Sequence, residues 1–146
     1  MILPRRVVSL YYRGRSQWWR VGRLLFPSPA EMKFIKLMGG TVFSMPIVMS
    51  RKTGFPFAIV LWRGHALRKH KMKREVRVGK CFVDFGNDIK WGIEILGFEW
   101  HTDVLAEQQR EDYIKSYDWR VLYIPAADLW RKSKSTKRRV LKFLSV

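Results

Sequence analysis

Apolar and polar positions change period several times along the chain, and the changes mark out its elements. The best-defined start is Ser28-Pro29-Ala30-Glu31, which sets Ser at the N-cap, Pro at the first helical position and Glu at the third. Apolar residues recur with helical spacing at Ala30, Phe34, Leu37 and Met38, and Gly39-Gly40 stops the run. Two strands follow at Thr41–Met49 and Phe57–Leu61, separated by a turn at Arg51-Lys52-Thr53-Gly54. His65–Arg74 reads as a basic loop or short helix. A third strand is predicted over Arg77–Phe85 and a fourth over Trp91–Phe98, with turn chemistry at Gly86-Asn87-Asp88. Asp103–Tyr117 reads as a helix capped by Thr102 or Asp103, with Ala106, Arg110, Tyr113, Ile114 and Tyr117 on one face. Trp119–Ile124 is a fifth strand ended by Pro125. A basic helix then runs from Ala126 to Leu144, with Leu129, Val140, Leu141 and Leu144 apolar.

This order predicts an α/β or α+β domain with a mixed sheet flanked by helices. Residues 1–27 have no clean period and read as a basic, aromatic arm or short strands, which leaves one domain over 28–146. The 146-residue length fits a single domain, and 47% hydrophobic residues suffice for a core. The longest apolar run, Phe55–Trp62, contains Pro56 and is too short to span a bilayer. Arg5 and Arg6 are followed by no adequate apolar region, so no secretory signal is expected. Cys81 is the single cysteine, which excludes an internal disulfide or a Cys-rich zinc site. The expectation is an intracellular protein, cytoplasmic or nucleoid-associated, not on a membrane; monomer and homodimer are both compatible.

Charge sharpens the picture. The net charge is +17, a field that concentrates polyanions. Ten of the 12 acidic residues lie between Asp84 and Asp128. Arg63–Lys80 holds eight Lys or Arg against the single Glu75, and Arg131–Lys142 holds seven and no acid. Candidate phosphate contacts are Arg13, Arg15 and Arg20 in the arm, Lys69, Lys71, Lys73 and Arg74 before the acidic segment, and Lys134, Lys137, Arg138 and Arg139 after it. Arginines interleaved with Tyr11, Tyr12, Trp18 and Trp19 suit phosphates and base faces. DNA is the expected partner, with RNA also open.

Inside the acidic segment, alternation sets Phe82 and Asp84 on one strand face and Cys81, Val83 and Phe85 on the other. On the next strand Gly92, Glu94 and Leu96 oppose Trp91, Ile93 and Ile95. A hairpin about residues 88–89 brings Asp84 and Glu94 opposite or diagonal. Two carboxylates in apolar surroundings shift their pKa values, pair with basic side chains, or bind a cation such as Mg²⁺.

The ordered set Glu31, Asp84-Phe85, Ile93-Glu94-Ile95-Leu96-Gly97, His101, Arg110 and Trp119-Arg120-Val121 resembles the PD-(D/E)XK nucleases, closest to the Vsr-like branch that includes very-short-patch-repair endonucleases. Phe98-Glu99-Trp100-His101 is similar to the aromatic-rich His motif of those repair enzymes. The resemblance spans roughly Ser28 to Leu129, strongest over Cys81–Trp130. It implies a restriction-endonuclease-like core and a Mg²⁺-dependent DNA endonuclease, with Mn²⁺ as a substitute. Distorted, mismatched or branched DNA would be the candidate substrates.

By position, Asp84 would ligate the metal, completed by Glu94 or the Ile95 carbonyl. Glu31 would be an outer ligand or water-orienting base, beside its capping role. His101 would be a general acid or base or hold the phosphate, or simply pack beside Trp100. Arg110 would fix carboxylates or a phosphate, or pair with Glu107. Leu96 stands where many family members carry Lys, as is common in the Vsr-like branch; Lys90 or Lys115 could supply that charge instead. The alternative function is a non-catalytic DNA- or RNA-binding protein that keeps a nuclease-like fold.

Overall fold

A computed structural model describes residues 27–44, 58–97 and 104–145. The described elements are α1 (Pro29–Leu37), β1 (Gly40–Ser44), β2 (Ala58–Trp62), α2 (His65–Lys69), β3 (Lys73–Val78), β4 (Cys81–Gly86), β5 (Trp91–Leu96), α3 (Val104–Lys115), β6 (Arg120–Pro125), α4 (Ala126–Arg131) and α5 (Ser133–Leu144). β1 and β2 form an antiparallel pair, and the other strands form one sheet in the order β3-β4-β5-β6. β3–β4 and β4–β5 are antiparallel, and β5–β6 is parallel. A parallel neighbour needs a crossover, and α3 lies within it. The fold is a mixed α+β one, as the hydrophobic pattern predicts.

α1 begins as its sequence dictates. The Ser28 hydroxyl accepts the Glu31 N–H at 3.2 Å and stands 3.2 Å from Glu31 Oε1, with Pro29 at the first helical position. One turn on, Phe34 packs on Phe85 of β4 with ring centroids 4.8 Å apart, and Trp62 of β2 closes the group at 5.9 Å from Phe85. Phe34 and Phe85 are fully buried, each worth about 1.5–3 kcal/mol of apolar transfer. The indole N–H of Trp62 is satisfied by the Met72 carbonyl at 2.8 Å. Ile93, Ile95, Ile124, Leu129, Val140 and Leu144 complete this main core. A smaller cluster of Val78, Cys81, Val83 and Ile114 lies under α3.

Two expectations are corrected. The predicted strand over Arg77–Phe85 is a hairpin: β3 and β4 pair through Val78↔Cys81, with Gly79-Lys80 as the reversal. Gly79 has φ +59°, a left-handed conformation that glycine adopts without strain. Strand-forming residues flank Gly79-Lys80 closely on both sides, so the run reads as one strand. The last helix is also two. At Lys132 the backbone leaves the helical region (φ −133°, ψ 43°), and the Asp128 carbonyl accepts both the Lys132 N–H at 2.9 Å and the Thr136 hydroxyl at 3.2 Å. No Gly or Pro marks that break. The arm at residues 1–26, the turn at 51–54 and the caps Thr102 and Asp103 lie outside the described residues.

Candidate metal centre

β4 and β5 run as a ladder at Gly86↔Gly92 and Phe85↔Ile93. The next pair in register is Asp84 with Glu94, and there side chains replace the ladder. Glu94 Oε2 accepts the Asp84 N–H at 3.1 Å, and Asp84 Oδ2 accepts the Ile95 N–H at 2.7 Å. The two acids are thus opposed, as the hairpin geometry predicts, and stitch the strands by reciprocal bonds to backbone amides. Both are buried, at 5% and 4% exposure.

The face assignment on β4 is corrected. Regular pleating would send Cys81, Val83 and Phe85 one way, but Val83 packs with Cys81 and Ile114 while Phe85 packs with Phe34. The switch falls at Asp84. Opposite it on β3, the register runs Arg74↔Phe85 and Val76↔Val83 without a Glu75–Asp84 bridge, and Glu75 has φ +48°. A non-glycine residue held there is strained by about 1–3 kcal/mol.

That strain accompanies a convergence of acids. Carboxylate oxygens of Glu31, Glu75 and Asp84 lie within 4.8 Å of one another. Glu31 arrives because it sits three residues before Phe34 on α1, whose ring is seated against Phe85 beside Asp84. Arg74 Nη2 donates to Glu31 Oε2 at 3.2 Å and stands 4.0 Å from Glu75 Oε1. The Arg74 and Glu31 side chains are 2% and 1% exposed. Arg74, grouped by sequence with surface phosphate contacts, is therefore an interior cation.

Glu94 faces a different neighbour. Its Oε1 forms an ion pair with Arg110 of α3, which also donates to the Phe82 carbonyl at 2.6 Å. With Oε2 on the Asp84 amide, both Glu94 oxygens are engaged. Nearby, burial above all, then the Glu111 and Glu94 carboxylates, push the Tyr123 phenol above its usual range, with Arg110 opposing. Desolvation, then Glu107 and Asp112, raise Glu111, again against Arg110.

The other candidates are dispersed. The Ile95 amide is bound to Asp84 and its side chain enters the main core. Lys90 donates to the Tyr117 carbonyl at 3.0 Å, and Lys115 is exposed at the end of α3. Lys69, Lys71, Lys134, Lys137 and Arg138 are exposed, and Lys73 makes a surface pair with Asp88 at 3.7 Å. Arg139 is tied to Asp128 at 3.6 Å and to the Tyr123 carbonyl at 3.3 Å. His101, Arg13, Arg15 and Arg20 lie outside the described residues.

Glu75 is the member that sequence reasoning missed. Its one signal is that it is the lone acid in the basic run from Arg63 to Lys80.

Comparison with protein-family models, curated proteins and solved structures returns no significant match. No helix among the described residues is long and apolar enough to cross a membrane.

Proposed function

We propose that this protein is a divalent-cation-dependent endonuclease that hydrolyses phosphodiester bonds in DNA. The observation that carries the reading is the meeting of Glu31, Glu75 and Asp84 oxygens within 4.8 Å. Negative groups so close in a buried setting repel, and a cation relieves that repulsion. An all-oxygen donor set suits Mg²⁺, with Mn²⁺ as a substitute. The order of parts adds support: a helix with Glu31, a strand with Asp84-Phe85, a strand with Ile93-Glu94, a helix with inward Arg110, then a strand preceded by Trp119. That is the order found in the Vsr-like nucleases the sequence resembles.

In this reading Asp84 supplies the central oxygen, and Glu31 and Glu75 complete the protein donors. A cation held there supplies Lewis acidity toward a phosphate oxygen and acidifies a water. The chain's own groups do the rest. Arg74 fixes the Glu31 carboxylate through one oxygen while Ser28 holds the other. Glu94 acts on position, locking the Asp84 backbone, with Arg110 neutralising its charge.

The second reading, a non-catalytic nucleic-acid binder, is favoured by one feature: buried Arg74 and half-buried Arg110 already provide counter-charge to the acids, and Leu96 brings none. Supercoiled plasmid, mismatched duplex and branched DNA incubated with Mg²⁺ or Mn²⁺ separate the two. Cation-dependent cleavage by wild type, lost in Asp84→Asn, supports the nuclease. The side-chain amide in that variant keeps a carbonyl oxygen for the Ile95 N–H, so the fold should survive. Binding without cleavage of any substrate leaves the binder standing.

A further inference from the structure

Away from the acids, two basic segments distant in sequence fold against each other: α2 packs on α5. The joint is aromatic. His70 stacks on Trp91 at 5.3 Å, and Trp91 packs on Phe143 of α5 at 5.7 Å. The Arg120 guanidinium, first residue of β6, lies 4.9 Å from the Trp91 ring and 4.7 Å from that of Phe143. Such stacking holds the guanidinium beside the two rings, and Arg120 is exposed.

On α5, Lys134, Arg138 and Lys142 recur every four residues and are exposed, opposite the buried Thr136, Val140 and Leu144. Residues 63–74 and 129–146, which carry α2 and α5, contain no Asp or Glu. A solvated face normally mixes both signs, because like charges on one surface repel. Here α2 and α5 bring cations and no acids of their own, while Asp128 of α4 pairs with Arg139 of α5.

We infer that the α2–α5 surface, with Arg120 at its joint, is a docking face for the phosphate backbone of double-stranded nucleic acid. Spacing supports this partner. At about 1.5 Å rise per residue, the row from Lys134 to Lys142 extends about 12 Å. One strand of a duplex presents a phosphate about every 3.4 Å of axis, so the row faces about three of them. An anionic membrane fits less well. An interfacial helix inserts a wide apolar face, whereas the Val140 and Leu144 face of α5 is already buried in the core. The inference rests on the proposed function only in taking nucleic acid as the polyanion; it holds whether or not the acidic cluster cleaves.

The test is binding of a fluorescently labelled DNA duplex, followed by anisotropy across a salt series. Wild type is compared with Lys134→Gln/Arg138→Gln/Lys142→Gln, with Arg120→Gln, and with Lys36→Gln/Lys80→Gln/Lys115→Gln. The last triple removes the same charge from exposed sites elsewhere. The α5 triple should weaken binding about tenfold or more at about 0.1 M salt and flatten the log–log salt slope by about 0.9 for each lost contact. Arg120→Gln should weaken binding in the same sense, and the control triple should stay within about twofold of wild type. Far-ultraviolet circular dichroism checks that each variant is folded.

Equal losses in both triples, or an α5 triple that binds as wild type does, overturns the surface. So does tighter binding of wild type to phosphatidylserine vesicles than to the duplex. Mn²⁺ binding by the same variants should match wild type. Absence of Mn²⁺ binding in wild type would remove the metal centre while leaving this surface untouched.

Discussion

At Glu75 the backbone sits at φ +48° while its carboxylate joins Glu31 and Asp84. Backbone strain held at an acid of the cluster is the pattern of a position kept for its chemistry. Glycine relaxes there, at the expense of a freer unfolded chain. Glu75→Gly should therefore leave stability unchanged or raise it by about 1 kcal/mol in urea denaturation, while cation binding weakens. A clear loss of stability would mean that Glu75 is there for the fold. Glu111 offers a pH test. Its carboxyl is raised by desolvation first, then by Glu107 and Asp112. A raised folded-state pKa makes stability fall as pH climbs from the unfolded to the folded value, with the full penalty above that window and none below it. Glu111→Gln should then raise the melting temperature slightly at about pH 7 and not at about pH 3. An equal gain at both would assign the effect to something other than charge. The Asp84–Glu94 opposition was legible in the sequence because a turn at 87–90 fixes hairpin register. Glu75 was not: a positive φ breaks the period of two, and a lone acid among cations reads as surface.

Among the elements, the β3–β4 hairpin positions the site, since it brings Arg74 and Glu75 across from Asp84. Its tip is clamped by α3. The Lys80 N–H donates to the Tyr113 hydroxyl at 3.0 Å, and a Cβ on Gly79 would come 2.7 Å from the Tyr117 hydroxyl and collide with that of Tyr113. Gly79→Ala should cost about 1–3 kcal/mol, through both the left-handed φ and this crowding. Cation affinity should fall with it as the hairpin shifts. Denaturation and a Mn²⁺ titration on the same sample check this, and a neutral effect on both would contradict the clamp. Helix α1 was legible from Ser28-Pro29-Ala30-Glu31 because capping chemistry is local. The hairpin turn and the α4–α5 break were not, since the first lies within a short run of strand-forming residues and the second carries neither Gly nor Pro.

Across the whole molecule, the charge order along the chain becomes a spatial division. Carboxylates gather at the start of α1 and the middle of the sheet, with Arg74 buried beside the first group and Arg110 half-buried beside the second, while exposed cations lie on α2 and α5, which pack together. Composition gives the sign of the charge but not its placement, which depends on contacts between residues far apart in sequence. The measurement that bears most directly on the central claim is a Mn²⁺ titration followed by electron paramagnetic resonance on wild type, Asp84→Asn, Glu75→Gln and Lys134→Gln. Wild type and Lys134→Gln should bind one ion with the same affinity, and both carboxylate variants should bind at least about tenfold more weakly, a loss of about 1.4 kcal/mol or more. Equal binding by all four proteins, or none by wild type, would contradict a metal centre at Glu31, Glu75 and Asp84.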